Sequence, residues 1–163
     1  MSEIAMAKIN EVSVCCFGNP LHSDDGVGLY IYEKLKQKLP KLGVHFFADA
    51  PLNALDVFES SKKVILIDAI KSELDPGSVL NIKPENLVNQ TDLRPATSHL
   101  NSLPYLLEVS RHMLRVPPDI EIWGITTQEL SVYSEKISKL VSDGANLLVE
   151  DMVDRFGKSH CHA

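Results

Sequence analysis

The sequence predicts an α/β fold: a single-domain three-layer αβα sandwich around a mainly parallel twisted sheet. Three observations carry that expectation. Strand-like runs alternate with segments of helical period along the chain. The run at 12–17 is almost wholly apolar or small and that at 64–67 wholly apolar, as strands covered on both faces must be. A length of 163 residues at 44% apolar content suits one ordinary core, without repeats or linkers.

Taken in order, residues 12–17 read as a first strand that stops at Gly18. Leu29, Ile31, Tyr32, Leu35 and Leu39 then recur at helical spacing among Lys34, Lys36 and Lys38, until Pro40 and Gly43 end the helix. Residues 44–48 read as a short second strand, 52–58 as a helical turn or two, and 63–68 as a buried third strand ending on Asp68. Pro76 and Gly77 mark a turn before an added strand at 78–82, and the polar stretch 83–95 reads as a loop. His99 opens a helical segment with Leu103, Leu106, Leu107 and Val109 on one face, and 120–125 forms another strand. A long helix over 134–156 places Ile137, Leu140, Val141, Ala145, Leu148 and Met152 on its apolar face. The domain is expected to span 1–157, with 158–163 a disordered tail.

Charge and motif content remove several function classes. Lys+Arg 16 against Asp+Glu 22 leaves a net charge of -6 and a pI near 5.5, the opposite of a nucleic-acid or anionic-membrane footprint. The apolar runs fall short of a membrane span and residues 1–10 lack a signal core, so a cytoplasmic location is expected. Cys15, Cys16 and Cys161 cannot build a disulfide framework. Neither a GxxxxGK[ST] nor a GxGxxG loop is present, so no nucleotide cofactor is expected, and there is no GxSxG elbow. No apolar stripe demands a partner, and the expected state is a monomer.

The most informative stretch is Gly18-Asn19-Pro20-Leu21-His22-Ser23-Asp24-Asp25-Gly26-Val27-Gly28, where the first strand hands over to the first helix. Open α/β sheets bind ligands outside the carboxyl ends of their strands, and two adjacent aspartates there are costly without a positive partner. With strands one and three side by side, Asp24 or Asp25 would share that edge with Asp68. A third polar candidate is His99, in Thr97-Ser98-His99 at the start of a helix. Two carboxylates and an imidazole would leave open positions on a divalent ion such as nickel, zinc, manganese or iron. Singly, each residue also has a structural role available. One aspartate of the pair could cap the first helix, Asp68 could accept from the following turn, and His99 could be as ordinary as His22, His45 or His112. The tail His160-Cys161-His162 has ligand chemistry but no scaffold to fix it.

With that first motif, then Ile65-Leu66-Ile67-Asp68-Ala69 and Thr97-Ser98-His99, the chain resembles the hydrogenase maturation proteases. The resemblance implies an endopeptidase that removes a C-terminal peptide from the precursor large subunit of a [NiFe] hydrogenase once nickel is inserted. It implies that Asp25, Asp68 and His99 are both the metal-binding and the catalytic residues, and that the nickel is that of the substrate subunit. The Asn19-Pro20-Leu21 and Asp24-Asp25-Gly26-Val27-Gly28 forms look most similar to relatives that process coenzyme F420-reducing hydrogenase. One departure is Asp49-Ala50-Pro51-Leu52-Asn53, where many members carry a glycine-rich stretch. Two other readings use the same residues: a non-catalytic, nickel-dependent escort of the large subunit, and a receiver-like domain phosphorylated on Asp68. The second wants a lysine after its last strand, and Ile122-Trp123-Gly124-Ile125-Thr126-Thr127 supplies none.

Overall fold

The first strand buries its last five residues, and its alternating side chains enter two separate cores, one on each face of a sheet. The computed structural model describes residues 10–48, 50–89, 94–95, 102–117, 119–127 and 133–158. Its strands are β1 (Asn10–Phe17), β2 (Gly43–Phe47), β3 (Ser61–Lys71), β4 (Val79–Ile82), β5 (Arg94–Pro95) and β6 (Asp119–Thr126). Its helices are α1 (Val27–Lys38), α2 (Leu55–Glu59), α3 (Pro84–Asn89), α4 (Ser102–His112) and α5 (Lys139–Phe156). The sheet order is β2-β1-β3-β6-β4. The first four run parallel, and β4 is an antiparallel edge.

On one face, Val14, Cys16, Ile65 and Ile67 pack with Ile31 and Leu35 of α1 and with Val141, Ala145, Leu148 and Met152 of α5. On the other, Cys15, Phe17, Leu66 and Ile122 pack with Phe58 of α2 and with Leu103, Leu106 and Leu107 of α4. These are the three layers that the doubly covered strands predicted. The Tyr30 hydroxyl donates to Asn146 Oδ1 at 2.9 Å and Lys38 pairs with Glu150 at 2.7 Å, both joining α1 to α5. No helix among the described residues is long and apolar enough to cross a membrane.

Three expectations need correction. Asp68 does not end β3, because Ala69 and Ile70 continue the ladder with Ile125 and Thr126 of β6, and Ile70 and Lys71 take up β5. The stretch 83–95 is no plain loop: Pro84 opens α3, Leu87 is buried against the second core, and Arg94 and Pro95 form β5. The last helix begins at Lys139 rather than at 134, since Ser134 is drawn out beside His22 in a parallel bridge and Ser138 is extended (ψ 156°) as its N-cap. Leu140, expected in the core, is half exposed. His99 and residues 159–163 lie outside the described residues.

At Ile70 one edge of β3 is taken by Thr126, so β5 occupies the other, the edge that β1 leaves after Cys16 pairs with Ile67. The chain approaching His99 therefore returns to the sheet where β1 stops.

At the far side of β6, Glu121 gathers several donors. Arg155 reaches both of its oxygens, at 2.7 and 2.9 Å, Lys63 lies 2.8 Å away and the Trp123 indole donates at 2.6 Å. The Arg155 hydrogen bonds, with Lys63 and Trp123, overcome burial and hold the Glu121 carboxyl down at about 2, against an ordinary 4.5. A carboxyl depressed by folding contributes stability above its unfolded pKa and loses it as pH falls through the folded one. Glu121→Gln should lower the unfolding free energy at neutral pH by about 1.5–3 kcal/mol. In denaturant titrations across pH, the gap to wild type should close between 4.5 and about 2.

Candidate active site

The chain leaves β1 through Gly18 and folds back onto the strand it has just left. Gly18 has φ 141°, and a Cβ there would overlap the Asp25 carbonyl oxygen. A Cβ at Gly28, in the first turn of α1, would overlap the Phe17 carbonyl oxygen. Both glycines are thus required by close backbone approach, and together they seat residues 18–28 on the carboxyl end of β1. Within this loop a 3-10 turn, Ser23–Gly26, runs straight into α1 and buries Asp24 and Asp25.

The two neighbouring aspartates have different partners. Asp24, 1% exposed, accepts the Ser138 backbone N–H at 2.6 Å on one oxygen and the Ser138 hydroxyl at 3.1 Å on the other. It does cap a helix, but the helix is α5, 114 residues away, and not α1. Asp25, 4% exposed, accepts the Asn19 backbone N–H at 2.8 Å on Oδ2. Asn19 Oδ1 in turn accepts the Leu21 N–H at 3.0 Å, closing a turn that holds the loop from within.

Asp68 sits one rung beyond the Cys16 to Ile67 pair, level with the point where β1 ends, and opposite Gly124 of β6. Its Oδ1 accepts the Ala69 N–H at 2.8 Å, and the side chain is 8% exposed. The 3-10 turn carrying Asp25 packs against β3. Asp25 and Asp68 thus reach the same sheet edge from adjoining strands, as expected, and β5 returns there with Arg94 and Pro95. His99, the third expected member, lies outside the described residues, and among those described no three His, Cys, Asp or Glu side chains form a metal-binding group.

Neither Cys15 nor Cys16 offers thiol chemistry at this edge. Cys15 and Cys16 are wholly buried in β1 as free thiols. Burial pushes Cys15 up to about 12 and raises Cys16 well above the usual range, with Cys15 and the nearby Asp68 charge adding to the rise. Two buried carboxylates at a strand edge can instead bind a cation or take a proton from water. The sequence reading missed Asn19 and Ser138, which hold the two aspartates. Asn19-Pro20 is a turn signal that could have suggested the first; nothing local marks the second.

The hydrogenase maturation protease model matches residues 29–155. The chain belongs to the hydrogenase maturation protease family. As a member of it, the protein is an endopeptidase of hydrogenase maturation, acting in C-terminal processing. The matched stretch includes Asp68 and His99 and begins just after Gly28. A search of curated proteins finds no match. Among solved structures, the [NiFe] hydrogenase maturation protease HybD from Thermococcus kodakarensis is 23% identical, with a TM-score of 0.74 over 89% of this chain and 98% of that one. The hydrogenase maturating endopeptidase HybD from Escherichia coli is 21% identical, with a TM-score of 0.72 over 92% and 94%. The hydrogenase 2 maturation peptidase from a Thaumarchaeota archaeon is 24% identical, with a TM-score of 0.66 over 91% and 99%. At these identities the likeness is one of fold.

If Asp24 is the structural member of the pair, Asp24→Ala should cost this protease about 1–3 kcal/mol of stability through the orphaned Ser138 donors. Asp25→Asn, which retains an acceptor for Asn19, should cost less. Chemical denaturation of the two variants side by side checks the order.

Proposed function

We propose that Asp25, Asp68 and His99 engage the nickel of a hydrogenase large-subunit precursor, so that only a metal-loaded subunit presents its C-terminal junction for cleavage. The observation that supports this reading is the placement of Asp25 and Asp68 at one sheet edge by the register of adjoining strands, with a backbone N–H bonded to each carboxylate. The matching of the family model across Asp68 and His99 supports it further. Anchored in this way, the carboxylates are oriented before a cation arrives, and their charge favours a metal over a neutral ligand.

The reaction is hydrolysis of a peptide bond. A water lying between the substrate junction and a carboxylate gives up a proton to that carboxylate, and its oxygen adds to the scissile carbonyl; the proton then passes to the leaving amine. The substrate's own nickel polarises the water or the carbonyl, and the protein needs no resident cofactor for this. The Asn19-Pro20-Leu21 and Asp24-Asp25-Gly26-Val27-Gly28 forms favour the large subunit of a coenzyme F420-reducing hydrogenase as the partner. We further place the protein in the cytoplasm and take the working unit to be a monomer of one domain, 1–157.

The test is mass spectrometry of a precursor large subunit from the same source, incubated with the protein with and without nickel loaded. A C-terminal peptide should be lost from the nickel-loaded precursor alone. Asp25→Asn, Asp68→Asn and His99→Ala should each abolish that loss while circular dichroism stays native. A variant that processes at the wild-type rate removes its residue from the mechanism. Stable binding without loss of mass from a correctly loaded partner would make the chain an escort instead.

A further inference from the structure

Leu21 and Tyr133 are exposed apolar residues on two segments that the fold ties together. Single exposed apolar residues are ordinary; these two are bound into a frame. The Leu21 carbonyl accepts the Ser134 N–H at 2.9 Å, and the Ser134 carbonyl accepts the Ser23 N–H at 2.6 Å. The Ser23 hydroxyl donates to the Lys136 carbonyl at 3.1 Å, and the His22 ring meets the Tyr133 ring edge-on at 6.0 Å. Ser23 (φ 50°) and Tyr133 (φ 63°) both take the left-handed conformation, which is unfavourable for a bulky residue such as tyrosine. The backbone is thus held in an uncommon state, yet the Tyr133 side chain stays 81% exposed and Leu21 50%.

The same frame leads without interruption to Asp25. Asn19 bonds Asp25 through its N–H and Leu21 through its side-chain oxygen, so one residue positions both the buried carboxylate and the exposed leucine. We propose that Leu21 and Tyr133 form a rigid apolar lip beside the reacting centre, and that it docks an apolar segment of the precursor next to the cleaved junction. The proposal rests on the reading that Asp25 belongs to that centre. It follows from continuity: Asn19 touches both Asp25 and Leu21, so the residues flanking a peptide bond brought to Asp25 lie within reach of Leu21 and of the segment bonded to it. A pre-ordered aromatic and a leucine suit that task, since little side-chain or loop freedom is lost on docking. The net charge of -6 disfavours an anionic membrane as the occupant.

The experiment uses the full-length protein and nickel-loaded precursor, measuring precursor affinity and steady-state cleavage for wild type, Leu21→Ser, Tyr133→Ser and the double variant. Leu147→Ser, an exposed leucine on α5, serves as the control. The double variant should raise Kd and KM by about tenfold or more, with a much smaller change in kcat and an unaltered melting temperature, and Leu147→Ser should match wild type. Wild-type Kd and KM in the double variant would overturn the lip, while the functional reading would stand on the observed cleavage. Wild-type protein that neither binds nor cleaves the loaded precursor would overturn both. Concentration-dependent dimerisation that the double variant abolishes would assign the surface to a second copy and overturn the proposal.

Discussion

Both oxygens of Asp24 are taken by Ser138, and the order of the carboxyl edge hangs on that buried tie. It fastens the loop that follows β1 to the start of α5, the helix that packs beside α1 and closes the first core. The bonds from Ser23 to the Ser134 and Lys136 carbonyls tie the same turn to the segment that leads into α5. The two close backbone approaches, Gly18 to the Asp25 carbonyl and Gly28 to the Phe17 carbonyl, complete the seat. The loop is therefore a packed part of the domain, although its sequence is that of a surface connection.

Two adjacent buried aspartates would repel and pay a desolvation cost if they faced the same surroundings. The fold separates their work. A 3-10 turn directs successive side chains in different directions, so Asp24 enters the contact with α5 while Asp25 remains with its own loop and the end of β3. One carboxylate fastens the loop to α5, while its neighbour accepts the Asn19 N–H within the loop itself. Asp68 is placed by a different device, the register of β3 against β1, which is set far from the edge by the apolar pairs beneath it.

Much of this was legible in the residues. Strands covered on both faces announce themselves as unbroken apolar runs, and α1 and α4 by their spaced leucines, because burial imposes one residue type at a fixed period. That the Asp24–Asp25 loop and Asp68 share one edge followed once strands one and three were placed side by side, and the sheet order places them so. What escaped was set by contacts remote in sequence. The start of α5 is determined by Asp24 and by the bridge at His22, so an apolar pattern beginning at 134 overstated the helix. The continuation of β3 past Asp68 depends on partners in β5 and β6, and α3 is a short helix in a polar stretch with only Leu87 to bury. Nothing in the neighbourhood of Ser138 foretells that it holds an aspartate near the other end of the chain. The place of His99 rests on the sequence and the family match.

Cys15 and Cys16 are neighbours in β1, yet the strand sends one sulfur into each core. A vicinal disulfide would need the pleat undone, and both thiols are held protonated by burial. The thiols of the strand that ends at this carboxyl edge are thus indifferent to oxidants and electrophiles as long as the sheet is closed. At these two positions alkylation becomes a clock for sheet opening: its rate reports how often β1 parts from its helices.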